Sequence, residues 1–179
     1  MIVTKTISEK EVIEQCLRGD SRAQHELYRR YADAMLNVAY RILKNEETAK
    51  DVLQDSFLKA FRELPKLKNR QGFAAWLKRI VINTTINQAK KKGLVLTEME
   101  EFESFAERQE EESPVFDIDK VRKALLQLPD GYRTVLTLYL IEGYDHEEIS
   151  QILNISKSTS LTQYSRGKKR LLELIRAAP

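Results

Sequence analysis

Apolar residues recur at helical spacing through most of this 179-residue chain, and that period constrains its fold more than any other feature. Leu27, Tyr31, Ala34, Met35, Val38 and Ile42 form one stripe. Val52, Leu53, Phe57, Ala60, Phe61 and Leu64 form a second, and Phe73, Trp76, Leu77, Ile80, Val81 and Ile86 a third. Residues three and four apart share a face of an α-helix, so each set is the inner side of an amphipathic helix. No stretch alternates with the period of two that a half-buried strand requires. Only 6 glycines and 4 prolines interrupt the pattern, too few for many short strands and their turns. The expected fold class is all-α.

Start and stop signals divide these stripes into helices. Ser8 and Glu11 have the spacing of a capping box, and Gly19 ends the helix that follows. Asp20 caps the next, which runs to about Lys44. Asn45, followed by two glutamates, starts a third, and Pro65 stops it. PKLKNRQG, residues 65–72, is a polar and basic loop, and Phe73 to about Lys91 is a fourth helix ended by Gly93. Residues 93–113 resemble an acidic linker, with Leu94, Val95, Leu96, Met99, Phe102 and Phe105 as its few apolar residues. Ser113-Pro114 supplies an N-cap and an N1 proline for a helix to about Leu128. Pro129-Asp130-Gly131 then turns the chain, and a helix follows from about Tyr132 to Glu142. Two more elements, Asp145 to Leu153 and Ser156 to about Arg176, complete the pattern, their starts marked by Asp145 with Glu148 and by Ser156 as a second cap. The organisation is two helical domains, 1–92 and 114–179, joined by a linker over 93–113.

Several function classes are excluded or disfavoured. Cys16 is the single cysteine, so neither an internal disulfide nor a cysteine metal cluster forms. His25 and His146 are the only histidines, which leaves no basis for a metal or cofactor site or for a Ser/His/Asp set. VLTLYLI at 135–141, the longest apolar stretch, is far too short to span a bilayer, and the amino terminus lacks a signal-peptide core. A cytoplasmic protein is expected.

Charge narrows the reading further. The net charge of +3 hides a strong asymmetry. Residues 1–92 carry 19 Lys/Arg against 11 Asp/Glu, residues 93–119 carry 1 against 10, and residues 120–179 carry 10 against 6. Two basic regions flanking an acidic strip fit a polyanion contacted at two places.

Each basic region ends in a helix with nucleic-acid chemistry. DHEEISQILNISKSTSLTQYSRGKKRL has the layout of a helix-turn-helix, with Ile149, Ile152 and Leu153 inward and Ile155 as a peg in the turn. Its second helix puts Thr159, Thr162, Gln163 and Arg166 on an outward face, where hydroxyls and an amide suit base edges in the major groove. Lys168, Lys169 and Arg170 suit phosphates. In the earlier helix, Trp76 and Asn83 lie seven apart, and their face continues through Asn87 to Lys90. A ring that stacks on an unpaired base, amides for its edge and lysines for the backbone suit single-stranded nucleic acid. Lys66, Lys68, Asn69, Arg70 and Gln71 just upstream add the basic and amide groups that a pocket for a flipped base needs.

On these residues the chain resembles an extracytoplasmic-function (ECF) class alternative sigma factor of bacterial RNA polymerase. DVLQDSFLKAFREL at 51–64 resembles that family's polymerase-binding helix, and KLKNRQGFAAWLKRIVINTTIN its minus-ten-reading loop and helix. LLQLPDGYRTVLTLYLIEGYDHEEISQILNISKSTSLTQYSRGKKRL resembles its minus-thirty-five-reading domain. The resemblance implies polymerase contacts at Asp51, Gln54 and Asp55. It implies minus-ten contacts at Lys68, Asn69, Arg70, Gln71, Trp76, Arg79, Asn83, Asn87 and Lys90. It implies minus-thirty-five contacts at Ser158, Thr159, Thr162, Gln163, Arg166 and Lys169. Core RNA polymerase, promoter DNA and a membrane-linked anti-sigma factor are the implied partners, with no cofactor and no catalysis. Gly167 departs from the family, where alanine is usual, at a helix-propensity cost of about 1 kcal/mol. Two other readings stay open: a free-standing helix-turn-helix regulator, which leaves the Trp76–Asn87 face unused, and a helical adaptor for other proteins.

Overall fold

The computed structural model describes residues 7–94 and 117–178. Those residues form helices joined by short turns, with no strand among them. The predicted linker lies outside the described residues beyond Leu94, and so does the helix start at Ser113-Pro114. The chain separates into two compact units, Met1–Ala89 and Lys90–Pro179.

In the first unit α1 (Glu9–Leu17) begins with the full capping box: Glu11 N–H donates to the Ser8 hydroxyl, and the Glu11 carboxylate accepts from Ser8 N–H. Val12, Ile13 and Cys16 are its buried face. Burial pushes the Cys16 thiol up to about 11, which keeps it protonated and inert. Gly19, at φ +82, allows the reversal into α2 (Ser21–Leu43). The buried side of α2 is Ala23, Leu27, Met35, Val38, Ala39, Ile42 and Leu43. Tyr31 is half-buried and Ala34 is exposed, which corrects the predicted stripe at its middle. Tyr31 donates to the Glu9 carboxylate, and Arg30 donates to the carbonyl of Ile7 at 2.9 Å. Together these fasten the start of α1 to α2.

Asn45 caps α3 (Glu46–Glu63) by accepting from Thr48 N–H at 2.8 Å. Pro65 does not end the chain's helicity outright, because it sits inside a single 3-10 turn, Leu64–Lys66. A second such turn, Arg70–Gly72, leads into α4 (Phe73–Lys91). The buried set of α4 is Phe73, Leu77, Ile80, Val81, Ile82, Thr85, Ile86 and Ala89. Thr85 is tolerated inside because its hydroxyl donates to the carbonyl of Val81 at 2.7 Å. The Tyr31 and Phe73 rings meet at 5.5 Å and join α2 to α4.

In the second unit Asp117 is extended and caps α5 (Ile118–Gln127). Asp130 and Gly131 are the first residues of α6 (Asp130–Leu136), with Pro129 at its cap, rather than a turn before it. Arg133, 0% exposed, donates to the Leu128 carbonyl at 2.7 Å and to the Asp130 carboxylate at 2.5 Å, and so braces that junction. From Thr137 to Ile141 the helix widens to π geometry, with Glu142 N–H reaching back to Thr137 O. Asp145 and Glu148 form the predicted capping box of α7 (His146–Leu153), and Ser156 caps α8 (Lys157–Ala177) through Thr159 N–H. Asn154, at φ 58, makes the turn between them, with Ile152 and Ile155 only partly buried. Ala124, Leu125, Leu128, Tyr132, Leu136, Leu171 and Ile175 form the core that seats α8.

Candidate nucleic-acid interface

On α4, the side chains left out of the core define a continuous stripe. Arg79, Asn83, Asn87 and Lys90 are all exposed, and Trp76 at its head is half-buried. Their spacings of three and four keep them on one face. The Trp76 indole meets the Phe73 ring at 5.8 Å, tilted by 48°, and stays partly exposed. A partly exposed ring with a supporting neighbour can stack on a base without first losing much rotamer freedom. Lys91 and Lys92 are also exposed and extend the positive end.

The loop ahead of α4 holds Lys68, Asn69, Arg70 and Gln71, all exposed. Its shape is set locally. Asn69 accepts from Gln71 N–H at 3.1 Å through its side chain and from Gly72 N–H at 3.2 Å through its carbonyl. Those bonds commit the side-chain oxygen of Asn69 to the turn and leave its amide N–H groups for other partners. Arg70 is held differently: its guanidinium pairs with Glu14 of α1 at 3.2 Å. Nothing in the spacing of residues 56 apart signals that contact.

Along α8, one face is exposed at Lys157, Ser158, Leu161, Ser165, Arg166 and Lys169, while Thr159 and Thr162 lie at its border. The opposite face, Ser160, Gln163, Gly167, Leu171 and Ile175, is buried. Gln163 therefore does not belong to the outward face. It falls four residues before Gly167 and three after Ser160, on the inner stripe, and is 0% exposed. The hydroxyls at the start of the helix are partly engaged, because Ser156 bonds both Ser158 and Thr159 at 2.8 Å and Thr162 donates to Ser158 O at 2.9 Å. Leu161, 47% exposed, and Ser165 share the outward face, and the helical count from Ser158 would have identified both.

Behind that face, His146 stacks on Tyr139 at 4.6 Å, meets Tyr164 edge-on and hydrogen-bonds the buried Ser160 hydroxyl at 2.9 Å. Burial lowers the His146 pKa below its ordinary value. The neutral ring locks α7 to α8, so His146 serves the shape of the motif.

A third surface lies on α3. Asp51, Gln54 and Asp55 are exposed on one face, together with Leu58, 61% exposed. Beside them runs a shallow groove lined by His25, Tyr28, Gln54, Phe57, Leu58 and Phe61. Carboxylates next to an uncovered leucine and tyrosine make a mixed polar and apolar patch of the kind that protein partners cover. Leu58 falls outside the apolar stripe read from the sequence, and that omission was the signal of its exposure.

Comparison with known proteins identifies the family of both helical units. The family model described as Sigma-70 region 2 matches residues 27–94, and that described as Sigma-70, region 4, matches residues 118–171. The chain is 30% identical to the RNA polymerase sigma factor YlaC of Bacillus subtilis strain 168, over 82% of this chain and 88% of that protein. It is 29% identical to the ECF RNA polymerase sigma factor SigW of the same strain, over 93% and 96%. Among solved structures it is similar in fold to the sigma factor RpoE, co-crystallised with the anti-sigma factor NepR from Bartonella quintana. The TM-score is 0.56 at 23% identity, covering 87% of this chain and 98% of that one.

Proposed function

The chain belongs to the ECF class of RNA polymerase sigma factors, which direct promoter-specific transcription initiation, and from that membership we propose which of its surfaces does each part of the task. The exposed face of α3, at Asp51, Gln54 and Asp55, docks on core RNA polymerase. The loop at residues 68–71 captures an unstacked base of the minus-ten element through Lys68, Asn69 and Gln71, its Arg70 being paired with Glu14. The stripe Trp76, Arg79, Asn83, Asn87 and Lys90 holds the separated strand. Ser158, Thr159, Thr162, Arg166 and Lys169 of α8 read the minus-thirty-five element. Gln163 has no part in that reading, since its side chain is inside the domain.

The observation that carries this reading is the α4 stripe: a partly exposed indole, two exposed amides and cationic residues in line, next to an exposed loop of amide and basic groups. That set suits unpaired bases better than a closed duplex, and a free-standing duplex-binding regulator has no use for it. In this reading the chain is not an enzyme. Strand opening draws on the binding of unstacked bases, and no bond is made or broken by its side chains. It acts in the cytoplasm with the polymerase; among the described residues, no helix is long and apolar enough to cross a membrane. An anti-sigma factor is the further partner this reading implies, as in the Bartonella quintana complex.

The test separates binding from opening. Holoenzyme reconstituted with Asn69→Ala is expected to form closed complexes on a promoter duplex nearly as wild type does, while opening about tenfold less, the size of a lost specific contact worth about 1.4 kcal/mol. Equal loss in both steps would remove base capture from the loop.

A further inference from the structure

Arg70 is exposed on a loop of basic and amide residues, where a direct phosphate contact is the obvious role for it. Its geometry shows another commitment. The guanidinium reaches across to α1 and meets the Glu14 carboxylate at 3.2 Å, both side chains being about half exposed. The backbone of α1 also packs against the Arg70–Gly72 turn. The turn itself is held by bonds within residues 64–72, namely Leu67 N–H to Leu64 O, Gly72 N–H to Asn69 O and Gln71 N–H to the Asn69 side chain. Those bonds shape the loop without fixing where it stands on the domain. The Glu14 contact ties it to α1, which is itself packed into the domain. Its Val12, Ile13 and Cys16 side chains are buried, and its first turn is capped by Ser8 and bonded to Tyr31 through Glu9.

We propose that Glu14 is a positioning residue for the minus-ten loop, holding Arg70 so that Arg70 acts on promoter opening through the place of the loop and not by touching DNA. The inference rests on the assignment of residues 68–71 to the minus-ten element. The physical logic is pre-organisation: a loop that must accept a flipped base loses less conformational freedom on binding if its position is set beforehand. An ion pair between half-exposed groups is modest in strength, which suits a tether that must yield slightly as the base enters.

The test is a double-mutant cycle in the reconstituted holoenzyme, with wild type, Glu14→Gln, Arg70→Gln and the pair. The probe is a linear duplex selected from a random-sequence library by run-off transcription with the wild-type holoenzyme. Closed-complex affinity and its salt dependence are measured apart from the opening rate, which is followed by fluorescence of 2-aminopurine in the minus-ten region. Each single variant is expected to slow opening about two- to fivefold, the range of an exposed ion pair. The double variant is expected to be no slower than either single, with closed-complex affinity and salt slope unchanged. A phosphate contact by Arg70 would instead lower the salt slope by about one for Arg70→Gln alone. That result, or normal opening with Glu14→Gln, overturns the proposal. Faster opening with Glu14→Gln overturns it as well, since the pair would then restrain the loop. Asn69→Ala run in parallel separates the two levels: if it too leaves opening unchanged, the minus-ten assignment has failed and not merely the tether.

Discussion

Gln163 and Gly167 sit four residues apart on the side of α8 that faces the domain interior, and both show how a helix position decides a side chain's use. An amide in the first half of a recognition helix suits adenine, so chemistry alone assigns Gln163 to DNA. Its place between Ser160 and Gly167 puts it in the core instead. Gln163→Glu would bury a carboxylate there and is expected to cost about 2 kcal/mol or more of stability, seen as a lowered thermal midpoint of the second domain by circular dichroism. An unchanged midpoint with altered upstream promoter preference would return Gln163 to the DNA-facing side. Gly167 carries the complementary lesson. In a helix interior alanine is preferred over glycine, which makes Gly167→Ala look stabilising. A Cβ at this position would lie 3.0 Å from Tyr132 Cβ and 3.3 Å from Leu136 Cδ1, both on fully buried residues that have little room to move. The glycine lets α8 approach α6. Gly167→Ala is expected to lower stability by about 1 kcal/mol, and a raised thermal midpoint would refute the close-approach explanation.

At the scale of elements, most of the fold was legible where the signals are local. Capping residues Ser8, Asp20, Asn45, Asp145 and Ser156 all act as their spacing predicts, and α4 spans the predicted residues because Phe73 begins its apolar stripe and Gly93 follows its end. The misses come from tertiary contacts. Pro129-Asp130-Gly131 has the composition of a turn, yet the buried Arg133 takes the Asp130 carboxylate and draws those residues into α6. VLTLYLI is apolar but for Thr137, so no period marks its widening to a π turn or the exposure of Leu140 and Ile141. The exposed residues of α3 and α4 on which the proposal rests could be read because they are what remains after the apolar stripe is removed. On α3 this has a direct consequence. Asp55 is exposed and takes no part in the core, so Asp55→Ala is expected to leave the stability within about 0.5 kcal/mol of wild type. Its affinity for core polymerase should fall severalfold in a titration. A variant that unfolds early would mean that Asp55 supports the fold and not the interface.

At the scale of the molecule, function depends on joining modest contacts. In the proposed division of labour the first unit would carry the polymerase-facing patch and the minus-ten surface, and the second the minus-thirty-five helix. Each surface has few groups: a stripe and a loop on one unit, a single helix face on the other. Tethering such weak sites in one chain and seating both on one polymerase raises their effective concentration on a promoter, so neither unit needs tight affinity by itself. The charge distribution fits this division, with basic residues in both units and acidic ones concentrated at 93–119, where duplex phosphate would be repelled. The most direct measurement mixes the purified chain with active bacterial core RNA polymerase and follows both by gel filtration at physiological salt. A stable one-to-one complex that then initiates at specific promoters is the expected result. Elution of the chain apart from the core, with no inhibitor bound to either, would contradict the assignment of the α3 face and with it the proposed division of labour.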